Sequence, residues 1–226
     1  MFNRIAESVY FEISRSFDSN ITYIDCGDRQ ILVDTGTGLF ADSLNGSLGK
    51  LGTSLDRITD VILTHSHIDH LGGIFRLLKN DGLQIYLHQL EGERINSGDM
   101  ELTLARDFGS DIPSFKVGQL LRDGQILKFG DVELLVLHTP GHSEGSVCLH
   151  ERNMGIMITG DTMFTGGSFG RVDLPSGDPE ALVRSLKRLS ELDFSVALPG
   201  HMSPVTSGAK RSAQLSYEFA REMFMT

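Results

Sequence analysis

The sequence has few cysteines, no tryptophan, no long apolar run and fewer basic than acidic residues. Its two cysteines, Cys26 and Cys148, form no Cys-x-x-Cys pair, which excludes a disulfide framework and makes a reducing cytoplasm the expected compartment. Apolar runs such as residues 61–63 and 134–137 are far shorter than the roughly 20 residues that cross a bilayer. The first 20 residues contain three acidic side chains and no apolar core of signal-peptide length. We therefore expect neither a membrane span nor a secretory leader.

The shortage of basic residues also limits the choice of partners. The 226 residues contain 30 Asp and Glu against 20 Lys and Arg, a formal net charge of −10. Counterion release rewards basic surfaces in proteins that grip phosphates, so a nucleic-acid partner is not expected. With 40% hydrophobic and 22% charged residues, the composition is that of an ordinary globular protein, long enough to bury a core without disulfides.

Strand-like segments and helices follow one another without a linker between them. Strands are predicted at 21–26, 30–34, 58–63, 84–87, 125–129, 132–137, 146–150 and 155–159, and helices at 39–48, 71–78, 178–192 and 208–225. No Pro/Ser-rich or low-complexity stretch divides the chain. The pattern predicts a single layered α/β domain over residues 1–226.

Most of the candidate chemistry lies in one histidine-rich segment. His65, His67 and His70 fall within six residues, directly after the strand predicted at 58–63. A loop that leaves a strand can turn three imidazoles and the nearby carboxylate of Asp69 toward one point. Imidazole nitrogens and carboxylate oxygens suit zinc, iron or manganese. The segment therefore predicts a metal site.

Three later residues of the same ligand types each follow an apolar run. His142 follows the strand predicted at 132–137, Asp161 follows the strand at 155–159, and His201 follows the run 194–198. Loops beyond strand ends are where a rigid scaffold aims side chains at a common site. These three residues are therefore further candidate ligands.

The His-x-His-x-Asp-His motif, with the later His, Asp and His, resembles the metallo-β-lactamase superfamily from the Asp34-Thr35-Gly36 turn to His201. The resemblance implies a four-layer αβ/βα sandwich of the α/β class and a site for two metal ions. It implies that Asp161 bridges the two metals and that Asp34 orients a ligand from behind. In that scheme one metal is held by His65, His67 and His142, and the other by Asp69, His70 and His201.

The segment 160–175, which contains the predicted bridging residue Asp161, indicates which branch of the superfamily the sequence resembles. β-Lactamases of this superfamily carry Cys or Ser in place of Asp161, so a lactamase is not expected. The segment resembles the glyoxalase II-like branch, which hydrolyses thioesters of the hydroxyacylglutathione type. Arg171 and Asp173 stand where full-length glyoxalase II carries a Lys and a Tyr that grip glutathione, so the thiol carrier stays open. Arg171 could bind a substrate carboxylate or pair with Asp173.

The resemblance implies a metal-dependent hydrolase of small-molecule thioesters with two divalent ions, Zn²⁺ first and iron or manganese as alternatives. Two such ions would hold a bridging hydroxide that attacks the thioester carbonyl, with Asp69 orienting this nucleophile. The Gly-Arg-x-Asp form of the later segment also resembles the persulfide dioxygenases, which use one iron, and this is the alternative enzyme. Lactone or ester hydrolysis, or ligand binding without catalysis, is a further alternative, and the oligomeric state is open.

Overall fold

The structure, a computed structural model, describes residues 1–110 and 112–225 as two units. The first unit is Met1–Leu120, and the second begins at Leu121. Each unit has its own sheet and its own cluster of buried apolar side chains. Over the residues so described, we find no helix with both the length and the apolar character needed to cross a membrane.

The first unit is built on a seven-stranded mixed sheet whose strands lie in chain order. They are β1 (Asn3–Arg4), β2 (Val9–Glu12), β3 (Ile21–Cys26), β4 (Arg29–Val33), β5 (Asp60–Ile62), β6 (Gln84–His88) and β7 (Gln119–Leu121). Strands β1 to β4 pair antiparallel, whereas β4, β5 and β6 run parallel. The β3–β4 hairpin turns at Gly27, whose φ of 78° lies in the left-handed region that glycine adopts without steric cost.

The helices of the first unit are α1 (Ala41–Gly49), α2 (Ile68–Leu71) and α3 (Gln89–Ser97). In α1, Leu44 and Leu48 are buried in the core of the first unit. The helix predicted at 71–78 is wrong in form: α2 is one turn long, and a 3₁₀ segment, Gly72–Arg76, follows it. Two consecutive glycines, Gly72 and Gly73, stand here; glycine is a poor helix former, and both pass so close to the backbone of Thr35 and Thr37 that a methyl group on either would collide with it.

The second unit is built on a five-stranded sheet. Its strands are β8 (Ile126–Phe129), β9 (Val132–His138), β10 (Val147–Glu151), β11 (Ile156–Gly160) and β12 (Val196–Pro199), in the spatial order β12-β11-β10-β9-β8. Helices α4 (Pro179–Ser190) and α5 (Ala209–Phe224) pack on it through a core that joins Met157 of the sheet to Leu186 and Ala213. The Asp178 side chain caps α4 by accepting a hydrogen bond from the Ala181 N–H at 2.9 Å.

Candidate metal centre

In the first unit, the parallel strand β5 leads directly into the histidine segment. The chain leaves β5 after Ile62, and α2 begins at Ile68, so Asp69 and His70 share a single helical turn. His65, His67 and His70 are buried, and the Asp69 side chain is 22% exposed. A short parallel strand followed by one helical turn thus concentrates all four predicted ligands of this unit.

These four side chains form two close pairs. His65 Nε2 lies 3.1 Å from His67 Nδ1, and His70 Nε2 lies 3.7 Å from Asp69 Oδ2. Each pair matches two of the three ligands that the superfamily resemblance implies for one metal. Both pairs offer the nitrogen and oxygen donors that zinc, iron and manganese accept.

The Asp34 carboxylate contacts the Nδ1 side of the His70 ring. Its Oδ2 is 2.8 Å from His70 Nδ1, and its carboxylate accepts hydrogen bonds of 2.8 Å from both the N–H and the hydroxyl of Thr64. A histidine that binds a metal through one ring nitrogen usually has the other nitrogen held by such a carboxylate. Asp34 has a φ of 62°, a left-handed conformation that Asp tolerates better than most residues.

In the second unit, three strand ends explain why the later ligand residues come together. Strands β9 and β11 both run antiparallel to β10, and β12 runs parallel to β11. The carboxyl ends of β9, β11 and β12 therefore lie at one edge of this sheet. His142, Asp161 and His201 follow these three strands in turn.

One carboxylate oxygen lies between the two imidazoles of this unit. Asp161 Oδ2 is 3.6 Å from His142 Nε2 and 3.5 Å from His201 Nε2. His142 Nδ1 is 2.7 Å from the backbone oxygen of Arg171, which fixes the ring with Nε2 toward Asp161. The ring of Phe164 meets that of His201 edge-on at a centroid distance of 6.0 Å.

Gly170 is required where the chain returns to these ligands. A methyl group on Gly170 would collide with the backbone oxygen of Asp161 and would lie 3.0 Å from His142 Nδ1. The sequence alone indicates neither this role of Gly170 nor those of the Arg171 carbonyl, Thr64 and Phe164. Glycine at 170 was visible in the sequence, but nothing there shows which backbone passes beside it.

The guanidinium of Arg171 pairs with Asp173. Its Nε and Nη2 donate to the two carboxylate oxygens at 2.7 and 2.6 Å, and both side chains are exposed. Through these hydrogen bonds Arg171 lowers the pKa of Asp173 to about 2. Of the two roles that the sequence left open for Arg171, the structure contains the ion pair, and contact with a substrate stays a prediction.

Comparison with known proteins gives a family and several relatives. The family model described as the metallo-beta-lactamase superfamily matches residues 15–201. An uncharacterized protein of Aquifex aeolicus is 35% identical over 158 residues, which cover 69% of this chain and 74% of that protein. The human acyl-coenzyme A thioesterase MBLAC2 is 28% identical over 247 residues, covering 95% of this chain and 85% of the relative.

Among solved structures, the crystal structure of TTHA1623 in a di-iron-bound form is similar throughout. The TM-score is 0.72 at 31% sequence identity, with 93% of this chain and 97% of the other covered.

Proposed function

The chain belongs to the metallo-beta-lactamase superfamily, and from that premise we propose that it is a two-metal hydrolase of small-molecule thioesters. The family match and the likeness to solved structures confirm the predicted α/β metallo-β-lactamase fold. Thioesters as the substrate class are supported by the activity in the name of the human relative. That relative favours an acyl-coenzyme A over hydroxyacylglutathione, and the glyoxalase II-like assignment stays a prediction.

The position of Asp161 carries the proposal. A single carboxylate oxygen nearly equidistant from two imidazole nitrogens, at 3.6 and 3.5 Å, suits a residue that bridges two metal ions. We propose that His142 and His201 then bind one metal each. This scheme needs both units to belong to the single domain predicted over residues 1–226.

The first unit would supply the remaining ligands as its two close pairs. His65 and His67 would join His142 on one metal, and Asp69 and His70 would join His201 on the other. Asp34 would hold the ring of His70 in place through its Nδ1 atom. Two ions are supported by the di-iron form of TTHA1623. Histidine and carboxylate ligands suit zinc as well as iron, and we propose Zn²⁺ with iron or manganese as alternatives.

Two divalent ions would supply the positive charge that makes a water molecule nucleophilic at neutral pH and polarises the substrate carbonyl. The chain's own residues would orient the attacking water and accept its proton. The Asp69 carboxylate, 22% exposed, can accept a proton from the attacking water and release it to solvent. A cysteine-like thiol has a pKa of about 8.5 and can leave as the thiolate, so no separate general acid is needed.

Metal content and thiol release on the same preparation would test this function. We expect about two metals per chain by plasma mass spectrometry. We also expect thiol release from acyl-coenzyme A thioesters, at a rate of hydrolysis higher than that of the corresponding oxygen esters. Asp161→Ala should lower both metal content and turnover. His138→Asn removes an imidazole outside the predicted ligand set and should change neither.

Other results would contradict the proposal. One iron per chain with oxygen uptake in the presence of a persulfide would indicate the dioxygenase instead. Two metals per chain without thiol release from any thioester would support the proposed metal centre and refute thioesters as the substrate class.

A further inference from the structure

A buried pair of hydroxyls joins two ligand loops of the second unit. Thr139 directly follows β9 and begins the loop that carries His142, and Thr162 directly follows Asp161. The Oγ1 atoms of Thr139 and Thr162 lie 2.9 Å apart, and both side chains are fully buried. Strand β10 lies between β9 and β11 in the sheet, so both strands pair with β10 rather than with each other. The hydroxyl pair therefore connects two loops that the sheet itself holds apart.

The hydroxyl pair contacts Cys148 of the intervening strand β10. Cys148 Sγ is 3.4 Å from Thr139 Oγ1, and it donates to the backbone oxygen of Thr159 at 3.5 Å. Burial raises the pKa of the Cys148 thiol to about 11, so the thiol is neutral at neutral pH. A neutral thiol is a weak hydrogen-bonding group and is a poor substitute for either hydroxyl.

Backbone hydrogen bonds hold both threonines in place. The Thr139 N–H donates to the Ser146 oxygen at 2.9 Å, and the Thr162 N–H donates to the Thr159 oxygen at 3.0 Å. A threonine side chain also has a restricted χ1 angle, so neither hydroxyl turns freely toward another partner. Removing one hydroxyl would deprive the other, which is buried, of this hydrogen bond, and that loss is costly.

The hydroxyl pair is close to two predicted ligands along the chain. His142 comes three residues after Thr139, and Asp161 is the residue before Thr162. His142 Nε2 and Asp161 Oδ2 lie 3.6 Å apart, a separation that suits two ligands of one metal ion. The contact between His142 Nδ1 and the Arg171 oxygen orients the ring, whereas the bond between the two hydroxyls joins the loops themselves.

We propose that Thr139 and Thr162 are positioning residues of the metal centre, and that the hydrogen bond between their hydroxyls sets the spacing of His142 and Asp161. Neither threonine belongs to the groups of His and Asp side chains that could hold a metal, so both act through the ligands beside them. This inference rests on the proposed metal centre and not on the substrate class.

Zinc affinity measured on the full chain by chelator competition would test this role. Thr162→Val keeps the shape of the side chain and removes the hydroxyl, so we expect zinc affinity to fall about tenfold. Thr139→Val breaks the same hydrogen bond from the other loop and should have the same effect, so each variant tests the bond if the other does not fold. The double Val variant should lose no more affinity than either single variant, because both substitutions remove one shared bond.

A conservative variant and a spectrum separate the hydroxyl from the rest of the side chain. Thr162→Ser keeps the hydroxyl and should retain most of the parent's zinc affinity. The visible absorption spectrum of the cobalt-loaded protein reports the geometry of the ligands. It should change in both Val variants and stay that of the parent in Thr162→Ser.

A matched variant controls for lost stability. Thr53→Val removes a buried threonine hydroxyl from the first unit, where it bonds to Gln30. It should lower Tm by a similar amount and leave zinc affinity and the cobalt spectrum unchanged. Val variants at 139 and 162 with the parent's affinity and spectrum would overturn this proposal alone, as would an equal loss of affinity in Thr53→Val. A parent chain that binds neither zinc nor cobalt would refute the proposed metal centre and this role together.

Discussion

Replacing Gly170 with alanine should damage the ligand loops of the second unit without touching a ligand side chain. The added methyl group would collide with the backbone oxygen of Asp161 and sit 3.0 Å from His142 Nδ1. Neither neighbour can swing away, because one is backbone and the other is held on the Arg171 carbonyl at 2.7 Å. The loop must therefore shift as a unit.

The expected magnitude follows from this overlap. Overpacking a rigid site costs about 1–3 kcal/mol, and for a chain of this length each kcal/mol lowers Tm by about 2–4 °C. We expect Tm to fall by about 5 °C. A displacement of about 1 Å at a catalytic group costs about 100-fold in rate, so turnover should fall by more than stability alone explains.

Thermal melting by circular dichroism, metal content and thioester turnover would be measured on the same preparations. Gly118→Ala is the matched control, because a methyl group there meets nothing within 4 Å. It should behave as the parent does. A Gly170→Ala protein with the parent's Tm, metal content and turnover would refute the packing argument.

Three further substitutions test other contacts. Arg29→Met should lower the free energy of unfolding by about 2 kcal/mol in a urea titration, because the fully buried carboxylate of Asp60 loses its ion-pair partner and keeps only the hydroxyls of Thr59 and Tyr86; an unchanged free energy would contradict this. Asp34→Asn should weaken metal affinity about 10- to 100-fold in a chelator competition, and unchanged affinity would argue against its orienting role. Arg171→Ala should raise KM for anionic thioesters more than it lowers kcat, and an unchanged KM would leave the arginine only its ion pair.

The sequence predicted the strands that position the candidate ligands because those strands are apolar and end at conspicuous residues. Strands β9 and β11 appear within one residue of their predicted bounds, and α4 and α5 within two. Strands β1, β2 and β7 were missed. Two of them are only two or three residues long, and their hydrogen bonds come from neighbouring strands rather than from local sequence.

Helix α3 was missed for a different reason. Its nine residues include Gly92 and six polar or charged side chains, and only Leu90 and Ile95 are apolar. Local propensity is a weak guide when tertiary contacts decide. The spacing of His65, His67 and His70 suggested that these side chains lie close together. The contact between Asp34 and His70 joins residues 36 positions apart, so only the family resemblance could suggest it.

The chain between Asp161 and Gly170 leaves a ligand and comes back to the same ligand. Its two ends meet where Gly170 packs against the backbone oxygen of Asp161. Its middle contacts α5, where the Ser216 hydroxyl donates to the backbone oxygen of Ser168 at 3.1 Å. Thr162 and Met163 are buried in this segment, and Phe164 contacts His201, so changes at these positions would disturb the ligand loops. Gly166 and Ser168 are exposed, and related chains could vary there and acquire different substrate preferences around an unaltered set of ligands.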